Sequence, residues 1–589
     1  MTTSDPTVQF RALVHEKLDF WFNNGELSKD ELGFMKTDQP VIPVIYTLPK
    51  VHKSQTVPLV GRPIVSGIGS LTNNVSTFVD HLLKPWVVTL SSYTRDTIDF
   101  INRLKTINAP SDCLLVTFDV SSLYTSIPHN GGIEAVNHFL RQRDPSDKPS
   151  TACISDLTEL VLTTNYFKFK SDFYLQINGT AMGSTMAPNY ANLYMGLFEL
   201  SHVLDSEVNP YYSQILTYQR FIDDIFIIWN GTVENLVLFH GYLNSRTEHL
   251  KFTLEHSDSH ISFLDVLISK RGGCLQTDLF RKPTDRNTLL HGDSFHPGHL
   301  IKSLPISQFQ RARRICSSDE SYQTQVTDLS NRFVSRGYKH EWVEAAAKRF
   351  ESVTQEECLN PVKSVKQKDN SPLCITRYSP MGMELRKILH RHWHIIDTDP
   401  KLSEVFKEPP KLVFKRSPNL RDQLIRSYTP PTTPSTFLSN VSSGNYKCSN
   451  CAQCSCTTKC KSYTHPHSGK HLPIKGVITC STTFVVYLIK CPCGLAYVGK
   501  TSRALRTRIS EHRSNIRCGD IRNPVAAHFK AMGHSITSLR YWGIEKVDRP
   551  ARGGDQNRLL LQRESFYIYT LNTMAPHGLN EEFDVKPFL

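Results

Sequence analysis

The chain has 589 residues, 39% hydrophobic and 21% charged, which excludes a disordered or collagen-like protein and is too long for a single core. Its formal net charge of +13 and pI near 9.0 favour a polyanionic partner. No apolar run approaches the roughly 20 residues of a membrane span, and the start, MTTSDPTVQFRALVHEK, lacks the charged-then-apolar layout of an export signal, so neither a membrane role nor secretion is expected.

Residues 1–40 open with the amphipathic helical pattern FRALVHEKLDFWF. VIPVIYTLPKVHK and GRPIVSGIGS read as strands punctuated by Pro and Gly, LTNNVSTFVDHLLKPWVV as a helix, and CLLVTFDV (113–120) as an apolar strand closing on an acid. Residues 132–165 predict helix, NYFKFKSDFYLQING a hairpin, and STMAPNYANLYMGLFELSHVL a helix with Pro188 in its first turn. RFIDDIFIIW (220–229) reads as one buried strand with Asp223 and Asp224 in its middle. A helix near VENLVLFHGYLNSR precedes strands in ISFLDVLISK and CLQTDLFRK. Residues 298–358 are mostly helical in pattern. Residues 359–447, rich in Pro, Ser, Thr and Lys, predict a linker or loosely folded connector with one helix at GMELRKILHRHW. A second folded unit runs from Cys448 to the end. Strands and helices in this irregular order predict a multidomain α+β protein.

Adjacent strand residues face opposite ways, so Asp223 and Asp224 cannot both leave the core, and burying an ionised carboxylate without a partner is costly. With Asp119 on another strand end about 100 residues earlier, three carboxylates can hold two divalent metals for in-line phosphoryl transfer. FIDD alone also fits a turn carrying two solvated acids.

The neighbouring motifs resemble those of reverse transcriptases. FDVSSLYTSIP is similar to the first catalytic motif, which implies Asp119 as a metal ligand and Tyr124 as the ring that blocks a ribose 2′-hydroxyl. GTAMGSTMAPNYANL resembles the template- and nucleotide-positioning motif, with Gly183 letting backbone approach the base pair. RFIDD resembles the third motif, with Phe221 where many members have Tyr, Asp223 as second ligand and Asp224 in an electrostatic role. LPKVHK and GRPIVSG resemble the fingers motifs and make Lys50 and Arg62 candidates for the incoming triphosphate. ISFLDVLISK and TDLFRKP resemble the primer-grip hairpin. Five motifs fall in the family's order over residues 40–285.

FVVYLIKCPCGLAYVGKTSRALRTRISEHRSNI resembles the GIY-YIG nucleases, with VVY and YVG for the two tripeptides. The resemblance implies DNA hydrolysis with one divalent ion. Glu564 would bind the metal, Tyr487 would help activate water with Tyr497 or His512, and Arg508 would face the phosphate; Asn572 completes the set. Arg508 and His512 fall four apart on one helix face, and Arg506 is a rival to Arg508. Cys491, Cys493, His528 and His534 can close a tetrahedral zinc site by ligand chemistry, the alternative being free thiols and surface histidines. CPC inside this core, together with RGGDQNRLLLQRESFYIYTL, APHGLNEEFD and the connector PPKLVFKRSPNLRDQLIRS, resembles the Penelope-like retroelements, which join a reverse transcriptase to this nuclease. CSNCAQCSCTTKC adds Cys448, Cys451, Cys454, Cys456 and Cys460, a second zinc site open to completion by His465, His467 or Cys480.

The expected layout is a helical leader (1–40), fingers and palm (41–285), a helical thumb-like region (286–358), a basic connector (359–447), a Cys-rich segment (448–480) and a GIY-YIG endonuclease (481–580). The resemblance implies Mg²⁺ or Mn²⁺ at both catalytic sites, structural Zn²⁺, and target-primed reverse transcription in the nucleus. Its expected partners are an RNA template, target DNA, a DNA primer end and deoxynucleoside triphosphates. The alternatives are an inactive or domesticated nucleic-acid-binding copy, an N-terminally truncated copy, or a telomere-type polymerase.

Overall fold

The computed structural model describes residues 4–49, 59, 61–271, 274–360, 371–424, 442–449, 451–582 and 584–588. Helices α1 (Thr7–Asn23) and α2 (Lys29–Met35) come first, and a reciprocal Ser28–Glu31 capping box starts α2. Strands β1 (Ile45–Pro49) and β2 (Gly61–Val65) pair antiparallel. Beyond them lie α3 (Asn73–Val87), α4 (Thr97–Leu104), β3 (Leu114–Val120), α5 (Leu123–Ser126), α6 (His129–Leu140) and α7 (Thr151–Thr163). The next elements are the hairpin β4 (Tyr166–Phe169) and β5 (Asp172–Leu175), α8 (Ala187–His202), β6 (Ile215–Phe221), β7 (Asp224–Trp229), α9 (Val233–Ser245) and β8 (Phe252–Ser257).

Four of these strands form an antiparallel sheet in the order β6-β7-β3-β8. Its central strands β3 and β7 are buried on both faces. Val116, Phe118, Ile225, Ile227 and Trp229 enter one core with α3, α6 and α8. Leu115, Phe226 and Ile228 enter a second core with helices from later in the chain. Two buried faces explain the unbroken apolar runs of β3 and β7, because neither set of alternate residues meets water.

RFIDDIFIIW is not one strand. Strand β6 ends at Phe221 and β7 begins at Asp224, and Ile222 and Asp223 make a two-residue turn with Ile222 at φ 57°. ISFLDVLISK is likewise split, into β9 (His260–Phe263) and β10 (Val266–Arg271), with Leu264 at φ 55°. β11 (Cys274–Leu279) completes the sheet β11-β10-β9. Helices α10 (Gly298–Ile315), α11 (Asp319–Val334), α12 (His340–Lys348) and α13 (Gln355–Leu359) pack Phe309, Phe333 and Val343 against Phe263, Val266 and Ile268 of that sheet.

The β6–β7 hairpin is tied to α8 by a buried ion pair. Arg220, wholly buried, donates from Nε to Glu199 Oε1 at 2.5 Å and from an η nitrogen to Asn192 Oδ1 at 2.6 Å. Ser92 donates to the other Glu199 oxygen at 2.5 Å.

The described connector is more ordered than expected. β12 (Leu373–Arg377) and β13 (Lys411–Lys415) run parallel, joined through α14 (Gly382–His392), α15 (His394–Asp397) and α16 (Pro400–Val405), with α17 (Leu420–Leu424) after them. A parallel pair requires such a crossover. Residues 361–370 and 425–441 of the connector lie outside the described residues.

In the C-terminal unit β14 (Gly444–Tyr446) pairs with β17 (Val477–Thr479), and β15 (Ser462–Thr464) with β16 (His471–Pro473). Then come β18 (Val485–Lys490), β19 (Ala496–Thr501), α18 (Leu505–Cys518), α19 (Pro524–Ala531), β20 (Arg540–Lys546) and α20 (Gln556–Thr570), with sheet order β19-β18-β20. Cys456, Tyr463, Ile474 and Ile478 share one core with Val485, Ile509 and Leu560. The Cys-rich segment therefore folds as one body with the sheet β19-β18-β20, rather than as a piece ending at residue 480.

Removing one member of a buried pair strands the other charge. Glu199→Ala is expected to cost about 3–5 kcal/mol, read as a lowered urea midpoint for the N-terminal unit by tryptophan fluorescence. An unchanged midpoint would contradict the pairing.

Candidate active sites

The two-residue turn brings the N-terminal acids together. Asp119 and Asp224 are direct partners across β3 and β7, and the Asp223 carbonyl accepts from Val120 N–H at 3.0 Å. All three acids are half-buried at the sheet's end, not sealed in the core. They line a cleft of about 600 Å³ with Arg62, Tyr124 and Lys282. An adjoining hollow of about 300 Å³ adds Gly183 and Ile222 to Arg62, Tyr124 and Asp223. A branched residue at positive φ is strained, so surrounding contacts must hold Ile222 in place.

Ser122, at φ 56°, turns the chain into α5, and the Tyr124 carbonyl accepts from Thr180 N–H at 2.7 Å. Burial, with the Asp223 charge added, pushes the Tyr124 phenol up to about 12, so the ring stays neutral. Gly183 has a structural reason of its own. At φ +138°, a Cβ there would lie 2.1 Å from Val65 O, so β2 itself demands the bare backbone. Lys50 lies outside the described residues. Sequence reasoning missed Lys282 as a cleft residue; its signal was a cation directly after the strand in TDLFRKP.

In the C-terminal unit Tyr487 and Tyr497 sit on paired strands, and α18 brings Arg508 and His512 onto Tyr487. The buried Tyr487 Oη lies 2.9 Å from His512 Nε2 and 3.1 Å from Arg508 Nε. Burial, reinforced by the Arg508 charge, holds His512 down at about 3. His512 is therefore neutral and shares a hydrogen bond with Tyr487, which also accepts from Arg508. The Tyr497 ring is 5.6 Å from the His512 ring. Glu511 holds Arg508 at 3.0 Å and Arg503 at 2.7 Å. Gly499 keeps room for both tyrosines, since a Cβ there would lie 2.5 Å from Tyr487 Oη and 2.7 Å from the Tyr497 ring. Glu564 lies inside α20. Burial raises its carboxyl to about 7, against the lowering effects of Lys500 and Arg508.

Arg506 is exposed. Asn572 also falls outside the site: it is exposed past the end of α20, where its carbonyl accepts from His467 Nε2 at 2.8 Å. Asn580 is buried, accepting from Val498 N at 2.9 Å and donating to Val498 O at 2.8 Å and so pinning β19. Its sequence signal is slight, a single amide side chain at the end of APHGLN.

Two ligand clusters flank this site, each with its ligand atoms within 4.8 Å of one another. Cys448, Cys451, Cys454 and Cys480 form the first, with Cys454 Sγ 3.5 Å from Cys448 and Cys480 and 3.6 Å from Cys451. Tetrahedral Zn–S bonds of about 2.3 Å would put sulfurs about 3.8 Å apart, so this set can hold a structural zinc. Cys456 is instead in the core, Cys460 pairs by backbone with Asn445, and His465 bonds Thr570 O at 3.1 Å. The second cluster is Cys491, Cys493, His528 and His534, with His528 Nε2 3.0 and 3.2 Å from the two sulfurs. His534 Nε2 is buried with no hydrogen-bond partner among the described residues, which suits a metal ligand.

Residues 288–348 match the model of the animal helix-turn-helix domain and span α10 to α12. No curated protein matches the chain. Among solved structures, apo telomerase from Candida tropicalis truncated from its C-terminal domain is 12% identical, over 40% of this chain and 55% of that one, at a TM-score of 0.32. Telomerase from Candida albicans with a fragment of telomeric RNA is 10% identical, over 67% and 70%, at 0.39. The BmCPV RNA-dependent RNA polymerase at elongation is 13% identical, over 54% and 29%, at 0.34. At these scores any functional reading rests on the site geometry.

The full chain is expected to bind two zinc ions, and Cys454→Ser and Cys491→Ser should each lose one by metal analysis; unchanged content in either would contradict that ligand set. Glu564, raised in the folded state from 4.5 to about 7, holds a proton that the unfolded chain has released between those values. Stability from this group is full below pH 4.5 and is lost as pH rises through 7, by up to about 3 kcal/mol. In chelator, Glu564→Gln should therefore gain stability over wild type at about pH 8 and match it near pH 4. An equal difference at both would contradict the buried carboxyl.

Proposed function

We propose that the chain is an RNA-directed DNA polymerase joined to a DNA endonuclease, of the kind found in Penelope-like retroelements. The observation that carries this reading is the junction of Asp119, Asp223 and Asp224 in one cleft with Arg62 and Tyr124. Asp119 and Asp223 would hold Mg²⁺ or Mn²⁺, which when bound acidifies a primer 3′-hydroxyl and screens the triphosphate. Arg62 pairs with the triphosphate, and the neutral Tyr124 ring stands against a ribose 2′-hydroxyl. Asp224 holds negative charge beside the pair. Arg220, fixed by Glu199, keeps the turn seated.

At the second site Glu564 would hold one divalent ion. Tyr487, held by its hydrogen bonds with His512 and Arg508, orients the attacking water, Tyr497 lies against the His512 ring, and Arg508 faces the phosphate as charge develops. A nick made there leaves a 3′-hydroxyl on target DNA for the first site to extend on an RNA template. Linking both in one chain raises the effective concentration of that end. Such work belongs in the nucleus.

The test separates the two sites. With dNTPs, Mg²⁺ and an RNA template on a DNA primer, Asp223→Asn is expected to abolish extension and leave plasmid nicking intact. Glu564→Gln is expected to do the reverse. Extension by Asp223→Asn, or nicking by Glu564→Gln, would remove the corresponding half of the reading.

A further inference from the structure

The two units meet in a short backbone contact that neither proposed reaction uses. Val41 N–H donates to Gly69 O at 2.8 Å, on the polymerase side. The next residue, Ile42, donates to Arg552 O at 2.6 Å and accepts from Arg552 Nε at 2.9 Å, on the nuclease side. Val41 and Gly553 form an antiparallel bridge. Gly553 is at φ +74°, and a Cβ on it would lie 2.8 Å from Pro40 O. The Val41 side chain sits between Gly69 and Gly554, where added Cβ atoms would come 3.4 and 3.7 Å from it. The loop 550–554 thus behaves as a docking strand whose glycines permit close approach.

Both ends of this contact lead to a proposed centre. Three residues after Ile42, β1 begins, and it pairs with β2, which carries Arg62 into the polymerase cleft. Directly after Gly554, Asp555 caps α20 through Asn557 N at 2.8 Å and Arg558 N at 3.0 Å. That helix carries Glu564. A hydrogen-bonded backbone path therefore runs from the triphosphate contact to the nuclease carboxylate.

We propose that this path couples the two centres: seating a matched nucleotide against Arg62 shifts β1 and β2 and, through Val41 and Ile42, displaces α20, so that nicking slows. The inference rests on the two-site reading above. Small displacements suffice, because a misplacement of about 1 Å can cost roughly 10²-fold in rate.

The experiment uses the full chain with a supercoiled plasmid, Mg²⁺ and an RNA template annealed to a dideoxy-terminated primer, with matched or mismatched dNTP. Wild type is expected to nick about fivefold or more slowly with the matched dNTP. Gly553→Val is expected to keep basal nicking and extension but lose the difference, and Arg552→Ala to lose part of it. Equal nicking with both nucleotides in wild type, or a full response in Gly553→Val, would overturn the coupling. Should the plasmid not be nicked at all, the nuclease reading fails separately, and hydrogen exchange decides. Exchange at Ile42 and across 555–570 that changes with matched dNTP in wild type but not in Gly553→Val upholds the coupling, and unchanged exchange overturns it.

Discussion

The buried pair of Arg220 and Glu199 is the constraint on which the N-terminal site depends. A turn led by a branched residue at positive φ is intrinsically poor, costing roughly 1–2 kcal/mol, yet it sets Asp223 and Asp224 opposite Asp119. The cost is offset upstream, where Arg220 is anchored in α8 by Glu199 and Asn192 and its backbone is bonded to Ser92 and Thr94. An η nitrogen of Arg220 also reaches Ile222 O at 3.3 Å, inside the turn itself. The acids thus reach the sheet's open end without the full penalty of a sealed carboxylate.

The same hairpin marks where the sequence was legible and where it was not. The apolar character of β3 and β7 was plain, but burial on both faces leaves no alternation to show where a strand stops. Hairpin turns usually declare themselves through Asn-Gly or Asp-Gly; here the turns are Ile222-Asp223 and Leu264-Asp265, in which nothing but the acid breaks the run. The turn that FIDD alone also fits describes the backbone. Arg508 and His512 were legible because four-residue spacing fixes a helix face. Glu199 was not, since a lone acid in an amphipathic helix gives no hint of a partner 21 residues on. Asn572, expected in the site, is exposed past the end of α20, whereas the asparagine that reaches β19 is Asn580.

In the C-terminal unit the ligand clusters adjoin the elements that carry Tyr487, Tyr497, Arg508 and His512. The Cys480 carbonyl accepts from Arg506 N–H at 2.7 Å, at the start of the helix that carries Arg508 and His512. Cys491 and Cys493 lie in the turn between the strands that bear Tyr487 and Tyr497. Zinc held at such points would fix the local geometry of a small unit. The helices α10 to α12 extend the same logic on the other side, bracing the sheet β11-β10-β9 beside the cleft.

The central claim is that two centres in one chain act in sequence on one DNA strand. The most direct measurement incubates the full chain with intact supercoiled plasmid, RNA template, labelled dNTPs and Mg²⁺, then denatures the product and asks whether label is covalently joined to plasmid DNA. The account expects RNA-dependent label attached at the nicked strand's 3′ end. RNA-dependent synthesis that begins only on a supplied primer, with no label joined to nicked plasmid, would contradict it.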